Sequence, residues 1–113
     1  MKECKQKDYK TLIINKREFK AIERIRDVLE YELHVVILIN AKREDPEFPL
    51  VYDGGNVFCI DKATVKVLWQ SSNRFTNIWE SEDNNIVMAY DPLGFEVKLD
   101  KFTGKILGSQ FTK

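Results

Sequence analysis

The chain reads as a mainly β protein, with about eight antiparallel strands in a meander that forms a sandwich or a strongly curled sheet. Three observations predict this. A nine-residue phrase is used twice: Ile60-Asp61-Lys62-Ala63-Thr64-Val65-Lys66-Val67-Leu68 returns 39 residues later as Leu99-Asp100-Lys101-Phe102-Thr103-Gly104-Lys105-Ile106-Leu107, with five of nine positions identical. A glycine precedes each copy at the same offset, Gly55 and Gly94, so the unit runs from a turn through a strand and a tight reversal into a second strand. The run His34-Val35-Val36-Ile37-Leu38-Ile39 is β-branched and almost free of polar residues, which marks a buried central strand. The other apolar runs are short and are joined by short polar turns.

The elements follow in order. The Lys-rich start, with residues 1–8 expected to fray, leads into Thr11-Leu12-Ile13-Ile14, a β-branched first strand. From Lys16 to Tyr31 the apolar residues Phe19, Ile22, Ile25, Val28 and Leu29 recur at three- and four-residue spacing, which predicts one N-terminal helix over residues 17–29. The competing reading puts Ile25, Leu29 and Tyr31 on one face of a strand. After the central strand, residues 41–49 form a charged loop whose prolines, Pro46 and Pro49, push their predecessors away from helical geometry. Asp53-Gly54-Gly55-Asn56 is a turn by composition, and Val57–Ile60 and Val65–Gln70 are the arms of the first repeated hairpin. Phe75–Trp79 and Ile86–Tyr90 flank the polar reversal Glu80–Asn85 as another hairpin. Asp91-Pro92-Leu93-Gly94 is a turn, and the second copy of the repeat completes the chain with arms at 94–99 and 105–111.

The repeated hairpin has a local logic. Its Asp accepts hydrogen bonds from turn amides, its Thr hydroxyl braces the loop, and a glycine in the left-handed region closes it. Gly104 fits that role. The first copy has Val65 there, and a β-branched residue at positive φ is an outlier. The first hairpin is therefore expected either to use a different turn or to store strain of about 1–3 kcal/mol.

At 113 residues the chain is one domain by size, residues 1–113, able to bury roughly two-thirds of its unfolded surface. Its net charge is zero, but residues 1–43 carry 11 Lys/Arg against 7 Asp/Glu, while residues 44–100 carry 4 against 11. An acidic middle favours a cationic partner over a nucleic acid, whose phosphates need a basic surface. Cys4 and Cys59 make no disulfide framework and are expected to be reduced thiols. The start has no apolar h-region, so no secretory signal is read, and the longest apolar run is too short to cross a bilayer. A cytoplasmic location and no membrane partner are expected.

Each candidate for chemistry also has a plainer role. His34 is the only histidine, which excludes sites built on two imidazoles, and at the head of an apolar strand it reads as a structural residue. Cys59, inside an apolar strand, lacks the electropositive, partly exposed setting of a nucleophile. Asp53-Gly54-Gly55-Asn56 has no Lys-Ser/Thr after it and no helix, so it is a turn and not a phosphate loop. Glu80, Glu82 and Asp83 sit at a hairpin tip where solvent keeps carboxylates ordinary. No catalytic, cofactor or metal residues are assigned, and no enzyme is expected. The partner-binding candidates are the acidic residues Glu44, Asp45, Glu47, Asp53, Glu80, Glu82 and Asp83, with Trp79 as an aromatic anchor rimmed by charge.

Two resemblances add expectations. The unit Gly55 to Lys62 through Lys66-Val67-Leu68-Trp69-Gln70 resembles a blade segment of quinoprotein-type β-propellers, and the 39-residue spacing falls in the blade range. Two copies do not close a ring of at least four blades, so no cofactor pocket is carried over. Val28-Leu29-Glu30-Tyr31, the strand to Asn40, Asn56 to Gln70, and the ending from Gly94-Phe95-Glu96-Val97-Lys98-Leu99-Asp100 to Gln110-Phe111-Thr112-Lys113 are similar to small stand-alone bacterial β proteins, among them immunity proteins of contact-dependent growth inhibition systems. That likeness implies a strand from about Ile25. It also implies a function: stoichiometric binding of a cognate basic toxin domain, such as a ribonuclease, whose active site is occluded. The alternative is an isolated blade-like β module that oligomerises or binds a small ligand.

Overall fold

The molecule is layered around the run His34–Ile39, which is a strand buried on both faces. The computed structural model describes residues 4–41 and 52–112. Among these residues eleven strands form three antiparallel sheets, each a meander. The first sheet is β1 (Cys4–Gln6), β2 (Thr11–Ile14) and β3 (Arg17–Lys20). The second is β4 (Ile25–Glu30), β5 (His34–Ile39), β6 (Val57–Asp61) and β7 (Lys66–Gln70). The third is β8 (Asn77–Glu80), β9 (Ile86–Tyr90), β10 (Phe95–Asp100) and β11 (Ile106–Phe111).

The sheets stack face to face in chain order because strands β5 and β6 are apolar at every position that faces a neighbour. Val35, Ile37, Ile39, Phe58 and Ile60 meet Leu12 and Ile14 of the first sheet. Val36, Leu38, Val57, Cys59 and Trp69 meet Ile78, Val87, Ala89, Val97 and Leu99 of the third. A strand covered on both faces has no polar alternation to show, which is why this run reads as continuous apolar sequence. The result is three separate stacked sheets, where a two-layer sandwich or a single curled sheet of about eight strands was expected.

The helix expected over residues 17–29 is not formed, and its residues make β3 and β4 instead. Asn15 and Lys16 both adopt positive φ, +49° and +68°, which builds a two-residue hairpin turn between β2 and β3. The false helical signal has a specific origin in β4. A bulge at Arg26 puts one extra residue between Ile25 and Asp27, so Ile25 and Val28, three apart, both reach the core shared with the first sheet. Leu29 reaches the other core. A bulged strand covered on two sides thus imitates the i, i+3, i+4 pattern. Residues 4–6, expected to fray, pair with β2 from Cys4↔Ile14 to Gln6↔Leu12.

The repeat is conserved in three dimensions beyond its sequence. Both turns close with the same bond, Val65 N–H to Asp61 O at 2.8 Å and Gly104 N–H to Asp100 O at 2.7 Å. Both hairpins carry a register shift at the same place, between Cys59 and Ile60 and between Lys98 and Leu99. Val65 adopts φ +56° where Gly104 has +77°, so the first copy keeps the turn and bears the strain. Val65→Gly is expected to raise stability by roughly 0.5–1 kcal/mol, relief of left-handed strain outweighing the entropy cost of glycine. Thermal denaturation checks this, with Val65→Asn as a second variant that tolerates positive φ. Lower midpoints in both would remove the strain account.

Candidate binding site at the hairpin end of the second and third sheets

The turns of the second and third sheets gather at one end of the strands. Lys62 N–H donates to Leu33 O at 3.0 Å, joining the first repeat turn to the β4–β5 turn, and Lys101 N–H donates to Asn85 O at 2.9 Å, joining the second repeat turn to the β8–β9 turn. The two lysines hold equivalent places in the repeat, and both are buried. Their side chains end differently. The Lys62 ammonium is 2.7 Å from a Glu30 carboxylate oxygen, with the two side chains only 7% and 16% exposed. The Lys101 ammonium lies 4.3 Å from the ring centroid of Tyr31 and 5.4 Å from that of Phe102.

Between these turns opens a cleft of about 420 Å³, lined by residues that include Glu30, Tyr31, His34, Glu80, Lys101 and Phe102. His34 meets Phe102 edge to face, with ring centroids 5.7 Å apart. Burial and the nearby Lys101 charge push the His34 pKa down, partly opposed by Asp61, so the imidazole is neutral at pH 7. Burial, then the Glu80 charge, pushes the Tyr31 phenol up to about 12, and its hydroxyl is buried with no hydrogen-bond partner among the described residues. Cys59 lies beneath, in the core between the sheets, where burial pushes its thiol up to about 12. The thiol is held protonated, which suits packing. Phe102 is 54% exposed and Leu33 66% exposed; Glu32 and Glu80 line the same cleft, and the β8–β9 turn, which carries Glu82 and Asp83, borders it through Asn84. The chemistry this supports is recognition: apolar anchors with an acidic rim.

No family model, no curated protein and no solved structure matches this chain.

The structure sorts the residues proposed from sequence. Glu44, Asp45 and Glu47 lie outside the described residues. Asp53 is exposed, but it precedes β6 while the repeat turn follows it, so it stands at the opposite end of the sheet, about 17 Å away for a five-residue strand. Trp79 and Glu80 are sequence neighbours on opposite faces of β8. Trp79 pairs with Met88 on the outer face, whereas Glu80 pairs with the core residue Val87 and turns to the cleft. Trp79 therefore lies on the face away from Glu80, and the apolar side chains that share the cleft with Glu80 are Leu33 and Phe102. Glu30, Tyr31 and Glu32 lie in no motif that marks a site, and Lys101 and Phe102 stand out only through the repeat. The one available signal was the repeat, which holds a lysine at 62 and at 101 while the next residue changes from Ala63 to Phe102.

Proposed function

We propose that this chain is a cytoplasmic toxin-neutralising immunity protein, one that acts by stoichiometric binding of a basic toxin domain and occludes its active site. The observation that carries the reading is the meeting of Glu30, Glu32 and Glu80 with the exposed side chains of Leu33 and Phe102 in one cleft at the end of the stacked sheets, bordered through Asn84 by the acidic β8–β9 turn that carries Glu82 and Asp83. Buried aromatic and aliphatic anchors supply most of the energy of such interfaces, and complementary charge speeds the encounter. A nuclease that binds phosphate presents the cationic surface this end fits. The test is co-expression with the toxin domain encoded in the adjoining reading frame, followed by gel filtration and titration calorimetry. Phe102→Ala with Glu80→Lys is expected to weaken the complex by roughly 10- to 1,000-fold while leaving the thermal midpoint within a few degrees. Survival of the cells with no complex on the column rejects occlusion, and a complex indifferent to both substitutions rejects this end as the contact.

A second reading, the blade-like module that oligomerises, is supported by the way one repeat docks on the next. Trp69 of the first copy lies against Gly104 of the second and donates its indole N–H to Lys101 O at 2.6 Å. A native mass of three or more protomers would favour it over the first.

A further inference from the structure

Six strands stand at sheet edges: β1 and β3, β4 and β7, β8 and β11. Five of them carry charge, from Lys5 in β1, Arg17, Glu18 and Lys20 in β3, Arg26, Asp27 and Glu30 in β4, Lys66 in β7 and Glu80 in β8. β11, Ile106-Leu107-Gly108-Ser109-Gln110-Phe111, carries none, has no proline, and exposes every side chain along its length. Charged edges are how sheets avoid joining other sheets, since an edge presents unpaired N–H and C=O groups that another strand can satisfy. β11 lacks that protection, and among the described residues only β10 pairs with it.

We propose that β11 pairs antiparallel with β11 of a second copy, joining two third sheets into one eight-stranded sheet across a two-fold axis. Backbone geometry selects the register. Thr112 N–H donates to Gly94 O at 2.9 Å, and the pairing continues through Phe95↔Phe111 and Glu96↔Gln110. In an antiparallel ladder the hydrogen-bonded pairs alternate, so residues 112, 110 and 108 turn their amides toward β10 while Phe111 and Ser109 turn theirs outward. An axis through Gln110 sets Ser109 of each copy opposite Phe111 of the other, and these two pairs exchange four backbone hydrogen bonds. The regular stretch 108–112 makes this contact, clear of the irregularity at Leu107. At the axis two Gln110 amides meet, each both donor and acceptor, which is the self-complementarity a two-fold interface requires. The occupant is a second copy because a charge-free strand meets its own image without repulsion, and Phe111, 57% exposed, gains cover on both sides of the axis. The inference rests on neither preceding reading: the edge at 108–112 is remote from the cleft, and it leaves the sheet faces free.

Sedimentation equilibrium over a micromolar to millimolar concentration series tests it. The mass is expected to rise from 13.3 kDa toward twice that value. Gln110→Lys places two like charges at the axis, and Ser109→Pro removes an outward N–H while sparing the bonds to β10. Both variants are expected to remain at the monomer mass with an unchanged monomer thermal midpoint, and should the proline variant fold poorly the lysine variant carries the test. Hydrogen exchange at the Ser109 and Phe111 amides is expected to slow at least about tenfold on dimerisation, as closure of an exposed edge requires. A wild-type monomer throughout the series, a dimer that both substitutions leave intact, or an assembly larger than two protomers overturns the proposal. So does a monomer whose edge is protected only on adding a strand-forming peptide, since that assigns β11 to a foreign strand.

Discussion

Trp69→Ala is expected to lower stability by about 3–5 kcal/mol, a large part of what a chain of this size has to lose. Three contributions add in one side chain. The indole is 8% exposed in the core between the second and third sheets, so its removal leaves a large cavity. Its N–H donates to Lys101 O, which would be left without that donor. Its ring also covers the second repeat turn at Gly104, so the contact joins the two sheets at their outer side. Trp69→Phe separates the effects: most of the apolar body stays, and the lost hydrogen bond alone costs about 1–2 kcal/mol. Urea denaturation followed by circular dichroism reads both values. A cost for Trp69→Ala within about 0.5 kcal/mol, the range of surface substitutions, would mean that the repeats are not held together by this docking.

Gly104→Val is expected to be as damaging or worse, although it only gives the second copy the residue the first one already has. A Cβ at position 104 would lie 2.6 Å from Cδ2 of Trp69 and closer still to Cε3, so the ring must move. Valine would also be forced to the φ of +77° that glycine adopts there. Strain of about 1–3 kcal/mol and the loss of the ring's seat together should cost more than about 4 kcal/mol. The first copy escapes because its neighbour is different. At the equivalent carbonyl, Lys62 O, the donor is the short amide of Asn15 at 3.1 Å, while Arg17 bonds Ala63 O, and no indole lies on Val65. The two effects predict a coupling. In Trp69→Ala with Gly104→Val the clash is gone, so the double variant should be more stable than the sum of the single costs implies by at least about 1 kcal/mol. Strict additivity would show that the ring and the turn do not meet.

How much of this was legible in the sequence depends on how far apart the deciding residues lie. The continuous run at 34–39 announced a strand covered on both faces, and both cores confirm it. The two hairpins were visible because their turn chemistry is local, within six residues of Asp61 or Asp100. Asn56 looked like one more turn residue. It is in fact 1% exposed, donating to Ile39 O and Phe75 O and accepting from Phe75 N–H, which ties the second sheet to the start of the third. The helix expectation failed because a bulge at Arg26 changes the period of β4, and one inserted residue leaves no mark in a pattern of apolar positions. Of the site, the acidic character was legible, and the grouping was not: adjacent residues such as Trp79 and Glu80 part company across a sheet, while Tyr31 and Lys101 come from two separate turns to meet Glu80 at the end of β8.

Strand period, turn residues and the repeat are properties of neighbouring positions, so a β protein with two copies of one hairpin is written directly in the chain. The division of the described residues into three sheets, the choice of faces that meet, and the tolerance of Val65 where Gly104 is required all depend on contacts between distant parts of the chain. The constraint on position 104 comes from a ring 35 residues earlier in the chain. Steric exclusion acts between surfaces in space, and the sequence records the surfaces without saying which ones touch.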